Sequence, residues 1–346
     1  MLRLNRGLLF IIGLLFIFSI LGFSLYHHFV MNDEIPVTEF LYKDGMPVDR
    51  APFPPSKNHW MGTDQFGSDL MYKIVQGAKF TIGLAVIISL LRVSSAFVFG
   101  FLLSLFKRIK WVTSLNQSFY YLPVALVCYF LLKPVISSEV LTFGEKAIFE
   151  IIILTLIAIP TTSVLIAEEI KIIKSNEFII GARVIGGNST QIFIKHVLPH
   201  LAPKIGIIFM QQIIAALILL AHLGLLSVFF GGTITREYGD EEEIALSLSN
   251  EWSGLVGTYF YQLRLAPWLL LFPVLFFGLT ILSFNFILEG LKKQPLKTVK
   301  FKQDMYKFII TNKVDKSLFK PVTPVLNMNR NSEIVARSME HKSFEH

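Results

Sequence analysis

Six long apolar runs decide what this chain can fold into. They cover residues 8–30, 80–106, 115–132, 147–167, 205–230 and 267–288. A helix needs about 20 apolar residues to cross a bilayer, and only helices and closed barrels satisfy their backbone hydrogen bonds there. With 53% hydrophobic residues and a mean hydropathy of +0.58, the chain is too apolar for a soluble domain. The sequence therefore predicts an all-α, polytopic membrane protein with six transmembrane helices.

The first run is predicted to be an uncleaved span. It is longer than the apolar region of a secretory signal peptide, which has about 7–15 residues, and no small-x-small cleavage site ends it. Arg3 and Arg6 precede it. We expect a first transmembrane helix within residues 1–31, followed by an extracytoplasmic segment, 32–79, that five prolines interrupt.

The charges that flank the runs predict their orientation, because cytoplasmic loops of membrane proteins carry an excess of Lys and Arg. The basic flanks are Arg3, Arg6, Lys107, Arg108, Lys110, Lys171, Lys174, Arg183, Lys195, Lys292 and Lys293. The loops 32–79, 133–146 and 231–266 have mixed or acidic charge, most plainly in the acidic insert 237–243. This pattern places both termini in the cytoplasm. It divides the chain into a core of five spans, 80–290, with a cytoplasmic loop, 168–204, and a basic cytoplasmic tail, 291–346.

The net charge of +7 comes from the tail alone. After Gly290 there are 12 Lys or Arg and 5 Asp or Glu, and the difference of +7 equals the net charge of the whole chain. Phe301, Met305, Phe308 and Ile309 have helical spacing there, which fits a basic helix on an anionic lipid surface; a solvated extension fits as well. We expect the lipid bilayer and no nucleic acid as a partner. The single cysteine, Cys128, excludes a disulfide within the chain.

A polar stretch between the fourth and fifth runs predicts a short helix. Ser175 or Asn176 can cap its start, and Glu177 places a negative charge in the first turn. Gly186 and Gly187 supply a left-handed stop, which leaves about ten residues, roughly 15 Å. Phe178, Ala182 and Ile185 then share one face. A second short helix, capped by Ser189 or Thr190, is predicted to end at Pro199.

The spacing of this stretch resembles the EAA loop of bacterial ATP-binding-cassette importer permeases. Gly181-Ala182 and Gly186 are followed about a dozen residues later by Leu198-Pro199, and the His-Val-Leu-Pro-His ending is most similar to the peptide and nickel importer branch. The resemblance implies a coupling helix that docks on a cytoplasmic ATPase. Ile180 stands where that family has its name-giving Glu, and Gly181 replaces the first Ala. The implied coupling residues are Glu177, Phe178, Gly181, Ala182, Arg183, Gly186, His196, Leu198 and Pro199.

The stretch 55–69, PSKNHWMGTDQFGSD, is the most specific match to the same family. There the segment before the second span typically reads HWLGTDxxGRD; Ser68 replaces its Arg. Chemically, His59, Asp64 and Asp69 suggest a metal or acid–base site. The preferred interpretation is that both aspartates are helix-capping or turn residues beside Gly62 and Gly67. No metal site is predicted.

Two further stretches extend the resemblance to about residues 54–295. Residues 221–225, AHLGL, are similar to the family's SFLGLG, although the Pro-rich motif that usually follows is replaced by the acidic insert. Residues 266–268, APW, and the Phe-Asn pair at 284–285 are similar to its last span. The resemblance implies the type I importer permease fold in the bacterial cytoplasmic membrane.

Polar side chains within the spans are candidates for a solute path, because burial in lipid is costly. They are Arg92, Gln211, Gln212, His222 and Asn285. The alternative is that they form hydrogen bonds between helices and fix the packing. Arg92 is too costly to face lipid and needs a partner or water. Gly83, Gly100 and Gly278 are predicted to be points of close helix packing.

No catalytic signature is present: the chain has no phosphate-binding G-x-x-x-x-G-K-[ST] loop, no H-E-x-x-H and no cysteine pair. We expect no enzyme activity and no cofactor, with ATP bound by separate subunits. The resemblance implies a homologous second permease, two cytoplasmic ATPases and an extracytoplasmic binding protein as partners. Two other classes stay open: a divergent membrane sensor or scaffold, and an ion-coupled secondary transporter, which inverted repeats would favour.

Overall fold

The computed structural model describes residues 6–43, 46–106, 123–238 and 242–292. Three predicted features lie wholly or partly outside these residues: the basic tail beyond Lys292, the first part of the third apolar run, and the middle of the acidic insert. The fold is described for the remainder.

The described residues are mainly helical. In chain order the helices are α1 (Arg6–Val30), α2 (Leu70–Leu105), α3 (Val124–Ile136), α4 (Phe143–Lys174), α5 (Glu177–Val184), α6 (Ser189–Ile192), α7 (Leu198–Leu225), α8 (Trp252–Tyr259) and α9 (Pro267–Leu291). A π-helical turn, Phe193–Val197, joins α6 to α7, and a 3₁₀ turn, Phe260–Gln262, follows α8.

Five helices in the described ranges have the length and composition of membrane spans. They are Gly7–Val30, Leu70–Leu105, Phe143–Lys174, Ser189–Leu225 and Pro267–Leu291. The sixth predicted span is represented by α3, an apolar helix of 13 residues. The helical polytopic fold is therefore confirmed.

Helix α2 begins at Leu70, ten residues before the predicted apolar run. The polar residues Lys73, Gln76 and Lys79 fall in the segment 32–79, which the sequence predicts to be extracytoplasmic. They lie within the helix because Asp69 caps it, accepting a hydrogen bond from the N–H of Met71, and because the first turns pack on other elements of the protein.

Two antiparallel hairpins depart from a purely helical description. Strand β1 (Phe40–Lys43) pairs with β2 (Met46–Arg50), and β3 (Thr233–Tyr238) pairs with β4 (Glu242–Ser247). Both lie in loops predicted to be extracytoplasmic. The described strands of the second hairpin include both ends of the acidic insert, and the β-branched neighbours of the insert favour strand conformation. The all-α assignment is correct for the membrane body, and these loops add two short hairpins to it.

The membrane body has its strongest packing between α2 and α4 and between α1 and α9. Gly100 of α2 permits the first, since a Cβ there would lie 2.8 Å from the carbonyl oxygen of Ser163 in α4. This confirms the predicted close approach at Gly100. The same prediction was wrong for Gly83 and Gly278, where a Cβ would meet nothing within 4 Å.

Helix α8 is buried along its whole length. The indole N–H of Trp252 donates to the carbonyl of Ile74 at 2.8 Å, and its backbone N–H donates to Thr81 Oγ1 at 2.9 Å. Gly224 and Gly257 allow α7 and α8 to touch, because a Cβ at either would lie 2.1 Å from backbone of the other helix region. Helix α8 is thus an integral part of the core.

Candidate functional site

The connection between α4 and α7, residues 176–199, carries the short helix that the sequence predicts. Asn176 occupies the N-cap position without a side-chain cap bond, and Glu177 lies in the first turn. Gly186 has φ +95°, and the N–H of Gly187 donates to the carbonyl of Ala182 at 3.0 Å. The predicted left-handed stop is confirmed. The helix has 8 residues, fewer than the ten expected, because it ends at Val184.

A single buried side chain anchors α5 to the protein. Ile179 is fully buried in an apolar cluster with residues of α4, α6 and α7. Ala182 packs against the same cluster, and the ring of Phe178 lies 5.1 Å from that of His200. The helix is therefore held firmly on one side.

The opposite side of α5 is apolar and open. Ile180, Val184 and Ile185 are 53%, 82% and 89% exposed, and a Cβ at Gly181 would meet nothing within 4 Å. The sequence predicts that Phe178, Ala182 and Ile185 share one face. In the structure Ala182 packs against the core cluster, while Ile185 is exposed and lies just beyond the last helical residue, Val184. We call Ile180, Gly181, Val184 and Ile185 the open face of α5.

Pro199 does not end a helix, contrary to the prediction. It lies in the first turn of α7, directly after the π-helical turn Phe193–Val197. A proline ring clashes with the preceding helical turn, and the wider π turn gives that ring room, so the helical path continues into the span. His196 and Pro199 are exposed, and Leu198 is half-buried.

The charged groups of this connection are exposed and unpaired. Glu177, Arg183 and His196 form no salt bridge within 4 Å to any residue that the structure describes. Near its end, Lys204 of α7 reaches Glu169 of α4 at 3.5 Å. The connection thus presents apolar and charged groups together, as protein docking surfaces do.

A second feature, a cavity of about 730 Å³, lies among α2, α3, α4 and α7. Three of the predicted path residues line it: Arg92, Gln212 and His222. The remaining lining residues are mainly apolar: Pro123, Val124, Ala125, Val127, Ile157, Ala158, Pro160, Thr161, Ala215, Ile218 and Leu219. We call it the α7 cavity.

Arg92 is 2% exposed and holds two helices together. Its Nε and Nη2 both donate to the carbonyl oxygen of Leu154 in α4, at 2.9 and 2.6 Å. The other two predicted path residues lie elsewhere. Gln211 is exposed and absent from the cavity lining, and Asn285 donates to the carbonyl of Ile281 in its own helix at 3.0 Å.

The stretch 55–69 forms turns and a helix cap, as the preferred interpretation held. Asp69 caps α2 and contacts His59 Nδ1 at 3.0 Å. Asp64 accepts hydrogen bonds from the N–H groups of Phe66 and Ser68, beside Gly62 and Gly67, which have φ +79° and +75°. Within the described ranges, no group of three or more His, Cys, Asp or Glu could hold a metal ion.

The structure adds two partners of Asp64 that the sequence did not indicate. Lys73 Nζ lies 2.5 Å from the buried carboxylate, and the Tyr259 hydroxyl donates to it at 3.2 Å. Burial and the nearby Asp64 raise the pKa of Tyr259, which keeps the phenol a donor. In the sequence, the one indication of such a contact was a lysine in the first turns of an apolar helix.

A second buried carboxylate, Glu251, was also missed. The hydroxyls of Ser247 and Ser249 and the N–H of Phe230 donate to it. Burial raises the pKa of Glu251, and these hydrogen bonds partly oppose that rise. Glu150 of α4 is buried nearby, and its Oε2 has no partner among described residues. The rule that singles out polar residues in spans applies equally to Glu150 and would have found it.

Comparison with known proteins identifies relatives along most of the chain. It is 25% identical over 296 residues to the dipeptide transport system permease protein DppC of Alkalihalophilus pseudofirmus, covering 84% of this chain and 86% of that protein. It is 23% identical over 295 residues to the oligopeptide transport system permease protein OppC of Bacillus subtilis, with the same coverage of 84% and 86%.

A third relative carries a different cargo name. The glutathione transport system permease protein GsiD of Pectobacterium atrosepticum is 22% identical over 246 residues, which cover 70% of this chain and 74% of that protein. No model of a known protein family matches the chain.

These relatives are transport permease subunits, and no enzyme is among those named. These matches cover 70–84% of the chain, so the resemblance inferred from short motifs extends over most of it. The protein is a multi-pass membrane protein that is similar, over most of its length, to the peptide-type permease subunits of ATP-binding-cassette importers.

Proposed function

We propose that this chain forms half of the translocation pathway of an importer for oligopeptides, dipeptides or a similar small solute. We further propose that it couples to a separate ATPase through the loop 176–199. A homologous second permease, a second ATPase and an extracytoplasmic binding protein complete the assembly. ATP binds to the ATPase subunits.

The observation that carries the coupling proposal is the open face of α5. A short helix is fixed to the membrane body by Ile179, while Ile180, Val184 and Ile185 lie in solvent. Leaving large apolar side chains exposed costs free energy unless a partner covers them. The anchored side would transmit force to α4 and α7, since Ile179 packs on residues of both helices.

The α7 cavity supports the proposal that the chain forms half of the translocation pathway. Its volume of about 730 Å³ is within the range of small-molecule sites, roughly 300–1,000 Å³. It carries few polar groups in an apolar wall, as such sites do. A homologous permease facing the cavity would close it into a path.

Substituting Gly181→Trp tests the coupling. The indole would project from the open face and block an approaching ATPase sterically, while a Cβ at this position meets no described residue within 4 Å. We expect normal insertion in the membrane, with loss of the co-purified ATPase and of solute uptake. Gly144→Trp is the matched control, because Gly144 is also helical with open space around it but lies at the other end of α4.

If Gly181→Trp retains the ATPase and transports normally, the loop is not the coupling element. The sensor or scaffold function then becomes the better explanation, with Ile180 in place of the family's Glu as its motivation. If Gly144→Trp also loses the ATPase, the effect is a general consequence of a large surface residue.

Orientation is tested separately by thiol labelling. Cysteine at Ser56 is expected to react with a membrane-impermeant maleimide on intact cells, whereas cysteine at Asn188 reacts only after permeabilisation. Both positions are exposed. Reaction of Asn188→Cys from outside would place the loop on the wrong side for an ATPase and overturn the coupling proposal.

A further inference from the structure

The α7 cavity contains a positive charge without a counter-ion. Arg92 is buried at its wall, and in the parts of the chain that the structure describes no carboxylate lies within 4 Å of its guanidinium. No Asp or Glu is among the residues that line the cavity. An uncompensated buried charge is costly, and such charges are normally paired.

The hydrogen bonds of Arg92 leave part of the guanidinium available. Nε and Nη2 share the carbonyl of Leu154, while Nη1 has no partner among described residues. A neutral amide could make the bond to Leu154, so packing alone does not require a charge at this position. Arginine is suited to carboxylates because its planar fork presents paired donors.

Two further polar groups of the cavity lie along one face of α7. Gln212 and His222 are separated by ten residues, about 15 Å of helix, and Ala215, Ile218 and Leu219 lie between them on the same face. Neither the side chain of Gln212 nor that of His222 has a hydrogen-bond partner in the described ranges. A fully extended chain advances about 3.3–3.6 Å per residue, so this face matches about four residues.

We propose that Arg92 binds the carboxylate of a short, largely apolar peptide-like solute that extends along the Gln212–His222 face of α7. This inference rests on the proposed function of the cavity as a solute path and specifies its ligand. The apolar wall accommodates the body of the solute, and Arg92 makes the path selective for an anionic end group.

The charge of the cavity is measured directly with thiol reagents. Thr161→Cys, in a Cys128→Ala background, places one thiol on the cavity lining of the assembled importer in permeabilised membranes. Its reaction rates are measured with a negatively and a positively charged methanethiosulfonate of matched size, and the first rate is divided by the second. Dividing this ratio by the same ratio at the exposed control Ser56→Cys gives the normalised ratio. We expect the anionic reagent to be favoured roughly tenfold, equal to about 1.4 kcal/mol.

Variants of Arg92 separate charge from hydrogen bonding. Arg92→Gln keeps a donor for Leu154 and removes the charge, so the normalised ratio is expected to fall to within about twofold of unity. Arg92→Lys keeps the charge and most of the preference. A ratio that Arg92→Gln leaves unchanged, in protein inserted at the normal level, overturns the proposal.

Uptake of a tripeptide and of its C-terminal amide then tests the ligand. The unmodified importer is expected to prefer the free carboxylate at least tenfold, and Arg92→Gln to reduce that preference to about twofold while transport of the amide persists. Equal transport of both forms by the unmodified importer overturns the inference. Loss of both forms in well-inserted Arg92→Gln also overturns it, because the role of Arg92 would then be in helix packing. If the unmodified importer moves neither form, the proposed peptide transport fails, and the reagent ratio at Thr161→Cys still decides the charge of the cavity.

Discussion

Two ends of this protein differ in whether their side chains find partners within the chain. At the hairpin end, which we define as residues 54–73 and 233–259, buried charges are matched within the chain. Asp64 contacts Lys73 and Tyr259, and two serine hydroxyls donate to Glu251. At the loop end, residues 176–199, apolar side chains of α5 are exposed, and the charged groups Glu177 and Arg183 form no ion pair with any residue that the structure describes.

This difference indicates which end is complete by itself. The buried carboxylates of Asp64 and Glu251 accept hydrogen bonds from within the chain, and buried groups bonded in this way favour one arrangement. Exposed large apolar groups on an anchored helix gain free energy only when something covers them. The hairpin end therefore acts as the rigid frame, and the loop end is where the protein is expected to depend on another subunit.

The largest expected effect is at the hairpin end. Lys73→Met leaves the fully buried carboxylate of Asp64 without its cation, and breaking a buried ion pair on one side costs about 3 kcal/mol or more. The midpoint of thermal denaturation in detergent should fall clearly. Lys204→Met is the control, because the exposed Lys204–Glu169 contact at 3.5 Å is worth less than about 1 kcal/mol. Equal shifts in the two variants would remove the contrast between the ends.

The second effect concerns the anchor of α5. Ile179→Ala removes a fully buried side chain from the cluster shared with α4 and α7, at a cost of about 2–4 kcal/mol. Because this cluster fixes the loop, the loss is expected to appear locally, as faster hydrogen exchange at residues 177–187. Ile180→Ala is the matched control, since the neighbouring isoleucine lies on the open face. Similar exchange in both variants would show that Ile179 does not fix the loop.

The third effect is on pH dependence at the hairpin end. Burial raises the pKa of Glu251 above that of an exposed glutamate, so folding favours its protonated form. Its contribution to stability is present below the ordinary carboxylate range and is lost as pH rises through the higher pKa of the folded state. Glu251→Gln should therefore flatten the fall in denaturation midpoint between acid and alkaline pH. The exposed Glu39→Gln serves as control, and an unchanged slope in Glu251→Gln would contradict the assignment.

The local features of both ends could be predicted from sequence. The left-handed conformation of Gly186 depends on neighbouring residues only, as does the cap that Asp69 provides for α2. The long helices followed from apolar length. These are short-range consequences of composition and spacing, so no knowledge of the fold is needed to find them.

The polar networks could not be predicted because they join distant parts of the chain. Asp64 and Tyr259 are 195 residues apart, and nothing near Tyr259 in sequence indicates its partner. For the same reason, the sequence could not show which of the predicted path residues line the cavity. Gln211 and Gln212 are adjacent, yet the rotation of α7 brings only Gln212 to the cavity. The continuation of the helix through Pro199 could not be predicted for a different reason, because the π turn that accommodates this proline has no sequence signature.

The smallest expected effect on stability is at the open face, and it gives the sharpest test of the comparison. Ile185 is 89% exposed, so Ile185→Ser should change the free energy of unfolding by no more than about 0.5 kcal/mol. If an ATPase covers this face, the same change removes an apolar contact, and retention of the ATPase in detergent should fall about fivefold, equal to about 1 kcal/mol. Leu265→Ser is the matched control, because Leu265 is 84% exposed and lies outside the loop. Loss of ATPase only in Ile185→Ser would establish that exposed apolar surface is a docking site on α5 and incidental at Leu265. Equal retention in both would mean that the open face of α5 is left uncovered in the assembly.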